Sequence, residues 1–299
     1  MSKKKFENVN CLICKDDTKV EEIATRGQFN LECHTSICTI CGLVFLTPRW
    51  TKPEYQNFYS IEYDSYYRPD EISNNKPSEK HLKQYNLILL RIGSYFKPFT
   101  TVLDIGCGYG WVMHYINQKY PIKNMYAIES SDRAREFLKN KNIDILTHDV
   151  DENWDQDNQN KFELIISRHT LEHFLDPISI ITKISHSLTE DGLCYIAVPD
   201  MMNPTGDLID KFFRVVHTYY FNEQTLETVL LAGGIKCIEK GSDNGETWIL
   251  GKKTKPQFMR CNNYKPQNNL IQKRLNERKK KPLKHNIKQL IKKIINPLI

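Results

Sequence analysis

The stretch that decides the fold is Val102-Leu-Asp104-Ile-Gly106-Cys-Gly108-Tyr-Gly110. A short apolar run ends in glycines at alternate positions, which let the backbone turn sharply and approach a ligand closely. A glycine-rich loop alone is a weak signal, because dinucleotide-binding folds use a related GxGxxG loop. Here the spacing is GxGxG, and an aspartate stands two residues before the first glycine. The stretch therefore predicts a ligand-binding turn at the edge of a sheet.

From residue 100 onward, short β-branched runs alternate with helical stretches, as in a doubly wound parallel sheet of the α/β class. The predicted strands are Thr101–Ile105, Asn124–Glu129, Ile143–Thr147, Phe162–Ser167, Leu193–Val198, Ile235–Lys240 and Glu246–Gly251. The predicted helices are Trp111–Lys119, Asp132–Asn140 and Pro177–Leu188. Residues 241–245 have the composition of a tight turn, so we expect the last two strands to form an antiparallel hairpin.

Two acidic positions sharpen the ligand prediction. Glu129 ends the second strand, 21 residues beyond Gly108, where a carboxylate can accept hydrogen bonds from both hydroxyls of a ribose. His148, Asp149 and Val150 follow the third strand and are placed for an adenine ring. These positions indicate a nucleoside ligand at the carboxyl edge of the sheet.

Residues 100–251 resemble the class I S-adenosylmethionine-dependent methyltransferases. Asp104 and the three glycines match the first motif of that family, Glu129 its second, and the region of Asp149 its third. The resemblance implies a seven-stranded Rossmann-like sheet whose last strand is antiparallel, with S-adenosylmethionine as the cofactor. The residues expected to hold the cofactor are Asp104, Gly106, Cys107, Gly108, Gly110, Glu129, Ser130, Asp149, Val150 and Ser167.

Five of the nine cysteines fall within the first 41 residues. Cys11 and Cys14 form one CxxC pair, Cys38 and Cys41 form another, and such pairs can close a tetrahedral structural zinc site. Cys33 and His34 are competing ligands, and reduced buried cysteines are the alternative to a metal. We expect Zn²⁺ on the two CxxC pairs of a small N-terminal zinc ribbon.

This four-cysteine module followed by a methyltransferase core resembles a bacterial group associated with sugar and cell-surface glycan biosynthesis. Sugar C-methyltransferases share the opening but usually carry a further C-terminal domain, whereas here a basic tail follows Gly251. The resemblance therefore favours methyl transfer to an oxygen over transfer to nitrogen or carbon. Two rival interpretations are an RNA methyltransferase and a non-catalytic scaffold that binds the cofactor.

A hydroxyl acceptor requires a base, and histidine is the natural choice near neutral pH. The candidates are His169, His173 and His217. His169, Glu172 and His173 would share one helical face if the chain wound into a helix directly after the fourth strand. Glu172 and His173 also have a structural interpretation, because their motif occurs in relatives with different acceptors.

Residues 252–299 carry a charge of +14, so the rest of the chain carries −8 within the net charge of +6. The acidic body makes nucleic acid an unlikely partner. Residues 252–281 are polar and indicate a flexible connector, whereas residues 283–299 have the pattern of a basic amphipathic helix. Such a helix would dock on a protein surface or lie on an anionic membrane.

Neither a secretion signal nor an apolar run of membrane-spanning length is visible, so we expect a cytoplasmic protein that is peripheral to the membrane at most. The predicted segments are a zinc-ribbon-like module at 1–48, an aromatic-rich linker or lid at 49–92, the methyltransferase domain at 93–251 and the basic tail at 252–299.

Overall fold

The computed structural model of the chain describes residues 4–67, 77, 79–95 and 97–280. The elements of its N-terminal part are β1 (Phe6–Glu7), β2 (Val20–Arg26), β3 (Glu32–Cys38), β4 (Val44–Leu46), β5 (Arg49–Trp50), α1 (Lys52–Ile61), α2 (Tyr63–Tyr67) and α3 (Glu79–Ile92). Those that follow are β6 (Thr101–Ile105), α4 (Trp111–Lys119), β7 (Asn124–Ile128), α5 (Asp132–Leu138), β8 (Asp144–Thr147), β9 (Phe162–Arg168), α6 (Pro177–Ser187), β10 (Leu188–Pro199), β11 (Tyr219–Tyr220), α7 (Glu223–Ala232), β12 (Ile235–Asp243), β13 (Glu246–Lys253) and α8 (Tyr264–Lys280).

Seven strands form the central sheet in the order β12-β13-β10-β9-β6-β7-β8. Strands β6 to β10 are parallel, whereas β13 is antiparallel to both of its neighbours. The predicted hairpin is present, and Asn244 and Gly245 at its turn both have positive φ, as a type I′ turn requires. The predicted α/β sheet is thus confirmed.

The alternating side chains of β6 explain why helices cover both faces of this sheet. Leu103 and Ile105 face the cluster that contains the apolar residues of α6 and α7. Val102 faces the opposite cluster, with the apolar residues of α3 and α4. The predicted bounds agree within three residues, except that β10 begins five residues early, across a register shift between Leu188 and Leu193.

The N-terminal part is joined to the core by strand pairing. Strands β2, β3 and β4 form a second sheet whose fourth strand, β11, comes from a distant part of the chain. Tyr219 pairs with Phe45, and Tyr220 pairs with Val44, in antiparallel register. Phe45 also belongs to the same buried cluster as α6 and α7. Cys11, Cys38 and Cys41 of the two CxxC pairs belong to this cluster too, so the N-terminal module and the methyltransferase fold share one apolar core.

Part of the tail is folded, so the prediction of a flexible connector over residues 252–281 is wrong for α8. Ile271 of this helix is fully buried in the same apolar cluster as Met201 and Phe212, and Gln267 accepts a hydrogen bond of 2.8 Å from Asn222 Nδ2. The prediction counted apolar residues, whereas this helix docks through Ile271, the partly buried Tyr264 and Leu275, the buried amide of Gln267, and ionic contacts of Arg278. The predicted helix at 283–299 lies outside the described residues. In the part of the chain described, no helix has the length and apolar character needed to cross a bilayer.

If α8 packs as observed, Ile271→Ala should lower the free energy of unfolding by about 3 kcal/mol, the usual cost of emptying such a buried site. Denaturant unfolding of the full chain measures this change. Gln272→Ala, at the exposed neighbouring position, is the matched control and should leave the unfolding midpoint unchanged. Equal midpoints for both variants would show that the helix does not dock.

Candidate functional site

A cavity of about 610 Å³ lies at the carboxyl ends of the parallel strands. The turns that follow β6, β7, β8 and β9 all contribute to its wall. Helix α1 and Tyr63 of α2 form another wall, and Lys52 of α1 reaches Asp151 in the turn after β8, with 2.5 Å between Nζ and Oδ2. The aromatic-rich segment thus lies directly on this cavity.

The turn after β6 is built around Gly106. Its φ is +74°, in the left-handed region, and its amide donates a 2.7 Å hydrogen bond to the carbonyl of Ile128. A Cβ at this position would lie 2.3 Å from Thr170 Cγ2, so no other residue fits without moving Thr170. Glycine at position 106 therefore lets the turn after β6 pack against the turn after β9.

Glu129 fixes this turn from the neighbouring strand. Its carboxylate is buried and accepts hydrogen bonds from the amides of Gly108 at 2.7 Å and Ser131 at 2.8 Å. Each carboxylate oxygen can accept more than one hydrogen bond, and Glu129 lines the cavity. The residue can therefore hold the glycine turn and accept ribose hydroxyls at the same time.

Asp104 lies beneath the turn rather than on the cavity wall. Burial and the nearby Glu129 raise the pKa of its carboxyl to about 7. Its Oδ2 atom is buried without a hydrogen-bond partner among the described residues. A buried acceptor next to a glycine turn fits a ligand that brings hydrogen-bond donors, such as the amino group of S-adenosylmethionine.

The structure brings together half of the predicted cofactor residues. The predicted residues on the cavity wall are Gly106, Glu129, Ser130, Asp149 and Val150, and His148 accompanies them. The predicted residues outside the wall are Asp104, Cys107, Gly108, Gly110 and Ser167. Ser167 is fully buried, and its hydroxyl has no hydrogen-bond partner among the described residues, while Cys107 Sγ lies 3.4 Å from the carbonyl oxygen of Gly108.

The expected shared helical face of His169, Glu172 and His173 is absent, and that prediction is wrong. His169 has a φ of +55°, and only residues 171–173 form a short 3₁₀ turn. The left-handed residue directs the His169 side chain toward β13, where its Nε2 atom lies 2.5 Å from Glu246 Oε1. His169 and His173 nevertheless both line the cavity.

His217 lies behind His173 and does not line the cavity. The two imidazole rings are 4.9 Å apart, edge to face, and His173 Nδ1 lies 2.9 Å from the hydroxyl of Tyr59. Burial holds the pKa of His217 well below its usual range and raises the pKa of Glu172 to about 8. His217 and Glu172 therefore favour their neutral forms at pH 7. Of the three candidate bases, only His169 and His173 contact the cavity.

Three contributors to the site were not predicted. Tyr59 contacts His173, Lys52 pairs with Asp151, and Glu246 pairs with His169. The aromatic richness of residues 49–67 pointed to a lid but did not single out Tyr59. Lys52 and Glu246 are each far in sequence from the residue that they contact, and no local pattern marks either of them.

The two CxxC pairs converge as predicted from their spacing. The four Sγ atoms of Cys11, Cys14, Cys38 and Cys41 all lie within 4.8 Å of one another, and those of Cys11 and Cys41 are 3.5 Å apart. Thiolates around a tetrahedral zinc at about 2.3 Å are separated by roughly 3.8 Å, so this group could hold the ion. Cys33 hydrogen-bonds to Thr35, and His34 pairs with Glu22 and Glu32, away from the four thiols.

Comparison with known proteins agrees with this architecture. Residues 78–240 match the model of a family described as a methyltransferase domain. N-methyltransferase 4 of Papaver somniferum is 29% identical over 108 residues, which is 33% of this chain and 30% of that protein. Malonyl-[acyl-carrier protein] O-methyltransferase of Acetivibrio thermocellus is 26% identical over 115 residues, or 37% of this chain and 40% of that protein. The chain thus spans well under half the length of either relative.

Among solved structures, a putative S-adenosylmethionine dependent methyltransferase from Listeria monocytogenes aligns with a TM-score of 0.46 at 17% identity, covering 57% of this chain and 98% of that one. The family match spans more than half of the 299 residues and includes the glycine turn, Glu129 and the five parallel strands β6 to β10. The chain therefore belongs to the methyltransferase domain family, within the class I S-adenosylmethionine-dependent group.

Proposed function

We propose that this chain transfers the methyl group of S-adenosylmethionine to a hydroxyl of a sugar or glycan precursor. One observation carries the proposal: a single cavity joins Gly106 and Glu129, on the cofactor side, to two histidines that follow β9. A nucleoside site and candidate bases within one cavity are the arrangement that transfer to a hydroxyl requires.

The cofactor supplies an activated methyl group on a sulfonium, so the chain itself has two tasks. It must hold the acceptor oxygen in line with the methyl group, and it must remove the hydroxyl proton. His169 and His173 contact the cavity and can serve the second task. Glu129 and the glycine turn serve the first by fixing the nucleoside.

The wall supplied by α1 supports a polar acceptor. Gln56, Asn57 and Ser60 can hydrogen-bond to hydroxyl groups, and the rings of Tyr59 and Tyr63 can pack on the C–H face of a sugar ring. Of the two relatives described above, one is named as an N-methyltransferase and one as an O-methyltransferase. A neutral amine already has a lone pair to attack with, whereas a hydroxyl gains from a base, so the histidines favour oxygen.

Glu129→Ala should weaken the binding of S-adenosylmethionine at least about tenfold, because it removes a charged acceptor of two hydrogen bonds. Isothermal titration calorimetry with the full chain measures the dissociation constant. Glu136→Ala, an exposed glutamate of α5 that pairs with Lys139, is the control and should bind normally. Unchanged affinity in Glu129→Ala would remove the ribose assignment.

Incubation with methyl-labelled S-adenosylmethionine tests the acceptor. The panel contains nucleotide sugars, lipid-linked glycans, small amines and total RNA, and we expect label on a sugar hydroxyl. His169→Ala should slow this transfer about 100-fold, within the usual contribution of a general base. His186→Ala changes a histidine that pairs with Asp155 outside the cavity and should have no effect. Label on RNA or on amines alone would overturn the sugar proposal.

We also propose that the four clustered thiols hold a structural zinc ion. Four thiols at these distances cannot all ionise without a cation, because like charges raise one another's pKa. Three of the four residues are fully buried. The ion would therefore crosslink β3 and the loops beside it, and it would contact neither solvent nor substrate.

Elemental analysis of the full chain should find one zinc per molecule. Replacing Cys38 and Cys41 with serine should remove the ion and lower the unfolding midpoint, because a structural zinc contributes to folding directly. Cys33→Ser is the matched control, since Cys33 is equally buried but lies outside the cluster. Loss of zinc in the Cys33 variant, or its retention in the double variant, would contradict this ligand set.

A further inference from the structure

His169 is held in place by both its backbone and its side chain. It follows β9 with a left-handed backbone, and its amide donates a 2.8 Å hydrogen bond to the carbonyl of Ala197 in β10. Its ring lines the cavity, and its Nε2 atom contacts Glu246 Oε1 at 2.5 Å. Among the described residues, none contacts the second ring nitrogen, Nδ1, in this way.

Glu246 is a buried carboxylate with fixed partners. It is the first residue of β13, and only 4% of its surface is exposed. Oε2 accepts a 2.7 Å hydrogen bond from Arg91 Nη1, and Oε1 also accepts one from Arg168. The two arginines and the histidine hold the pKa of Glu246 well below its usual range, against the effect of burial. The carboxylate is therefore ionised and cannot turn away from His169.

An ionised carboxylate only accepts hydrogen bonds, so the Nε2 atom of His169 must donate. In the neutral ring the proton then lies on Nε2, and the lone pair lies on Nδ1. We propose that Glu246 is a positioning residue that holds His169 in this tautomer, with Nδ1 as the atom that accepts the proton of the acceptor hydroxyl. The proposal rests on the proposed function.

The proton balance is simple. The hydroxyl proton passes to Nδ1, while the electron pair on the acceptor oxygen forms the new bond to the methyl carbon, and the pair of the broken carbon–sulfur bond stays on sulfur. The resulting imidazolium is stabilised by Glu246 until the proton leaves to solvent. No further co-reactant is required.

Several charged groups act on His169 from the elements around it. Desolvation at the cavity wall is the main effect and lowers its pKa even though 40% of the side chain is exposed, Glu246 raises that pKa, and Arg168 and Arg214 lower it. His169 in turn lowers the pKa of the nearby His217. Removal of the Glu246 charge should therefore lower the pKa of His169 further, because the contributions that remain from burial and the arginines all act in that direction.

The first test is side-chain NMR of the full chain labelled with ¹⁵N-histidine, in which His169→Gln assigns the resonances. In the unmodified protein we expect the proton on Nε2 and an unprotonated Nδ1. A proton on Nδ1 would overturn the proposal. This measurement needs neither an acceptor nor a folded Glu246 variant, so it stands even if no methylated product is found.

The second test is Glu246→Gln, which removes the charge and keeps the shape. The NMR titration midpoint of His169 should fall by about one pH unit, the lower end of what a neighbouring opposite charge contributes. Asp243→Asn is the matched control, because Asp243 pairs with the same Arg91 but does not touch His169. An unchanged midpoint in Glu246→Gln, or an equal shift in the control, would contradict the assignment.

Kinetics give the third readout once an acceptor is known. Glu246→Gln should reduce kcat about 10- to 100-fold, at or below the contribution of a general base, and leave KM for S-adenosylmethionine unchanged. The acidic limb of the rate profile should move to lower pH with the NMR midpoint. In a His169→Ala background the Glu246 substitution should have no further effect. An additive loss would show that Glu246 acts independently of His169.

If the unmodified chain binds the cofactor but methylates nothing, the proposed function fails while the NMR result still decides the tautomer.

Discussion

The close contact between Gly106 and Thr170 is the constraint on which the site depends. It brings the turn after β6 against the turn after β9, with no room for a side chain between them. Glu129 then fixes the same turn through the amide of Gly108. Because Thr170 is next to His169, the packing that shapes the nucleoside side also sets the position of the acceptor side. The turn proposed to hold the nucleoside and the histidine proposed as the base are therefore positioned by the same packing contact.

Periodicity and turn chemistry predicted the central fold because each strand carries its own signal. Strand β6 alternates side chains between two helical layers, and the Asn244-Gly245 turn specifies its hairpin locally. Glu129 could be found in the same way, because its distance from Gly108 follows from one βαβ unit. These features were predictable because the residues that specify each of them lie within about 30 positions of one another in the sequence.

The features that escaped prediction are those set by long-range packing. Glu246 is 77 residues from His169, and the two meet only because β13 runs antiparallel beside β10. The left-handed backbone of His169 has no sequence signal comparable to glycine, so the helical face expected for residues 169–173 was wrong. Helix α8 was missed because it docks through a few apolar side chains around Ile271 and through the buried amide of Gln267, in a helix whose other residues are mostly polar.

The N-terminal module is more than an appended domain, because its sheet is completed by β11. Strand β11 begins two residues after His217, and the hydroxyl of the intervening Thr218 donates a bifurcated hydrogen bond to the carbonyls of Glu172 and Phe174. The pairing of Tyr219 with Phe45 thus links the four-cysteine module to the residues that carry His173. Helix α1 continues from the same module and supplies the polar wall of the cavity. A metal held by the four thiols would therefore stabilise the module that supplies both this wall and the strands that pair with β11.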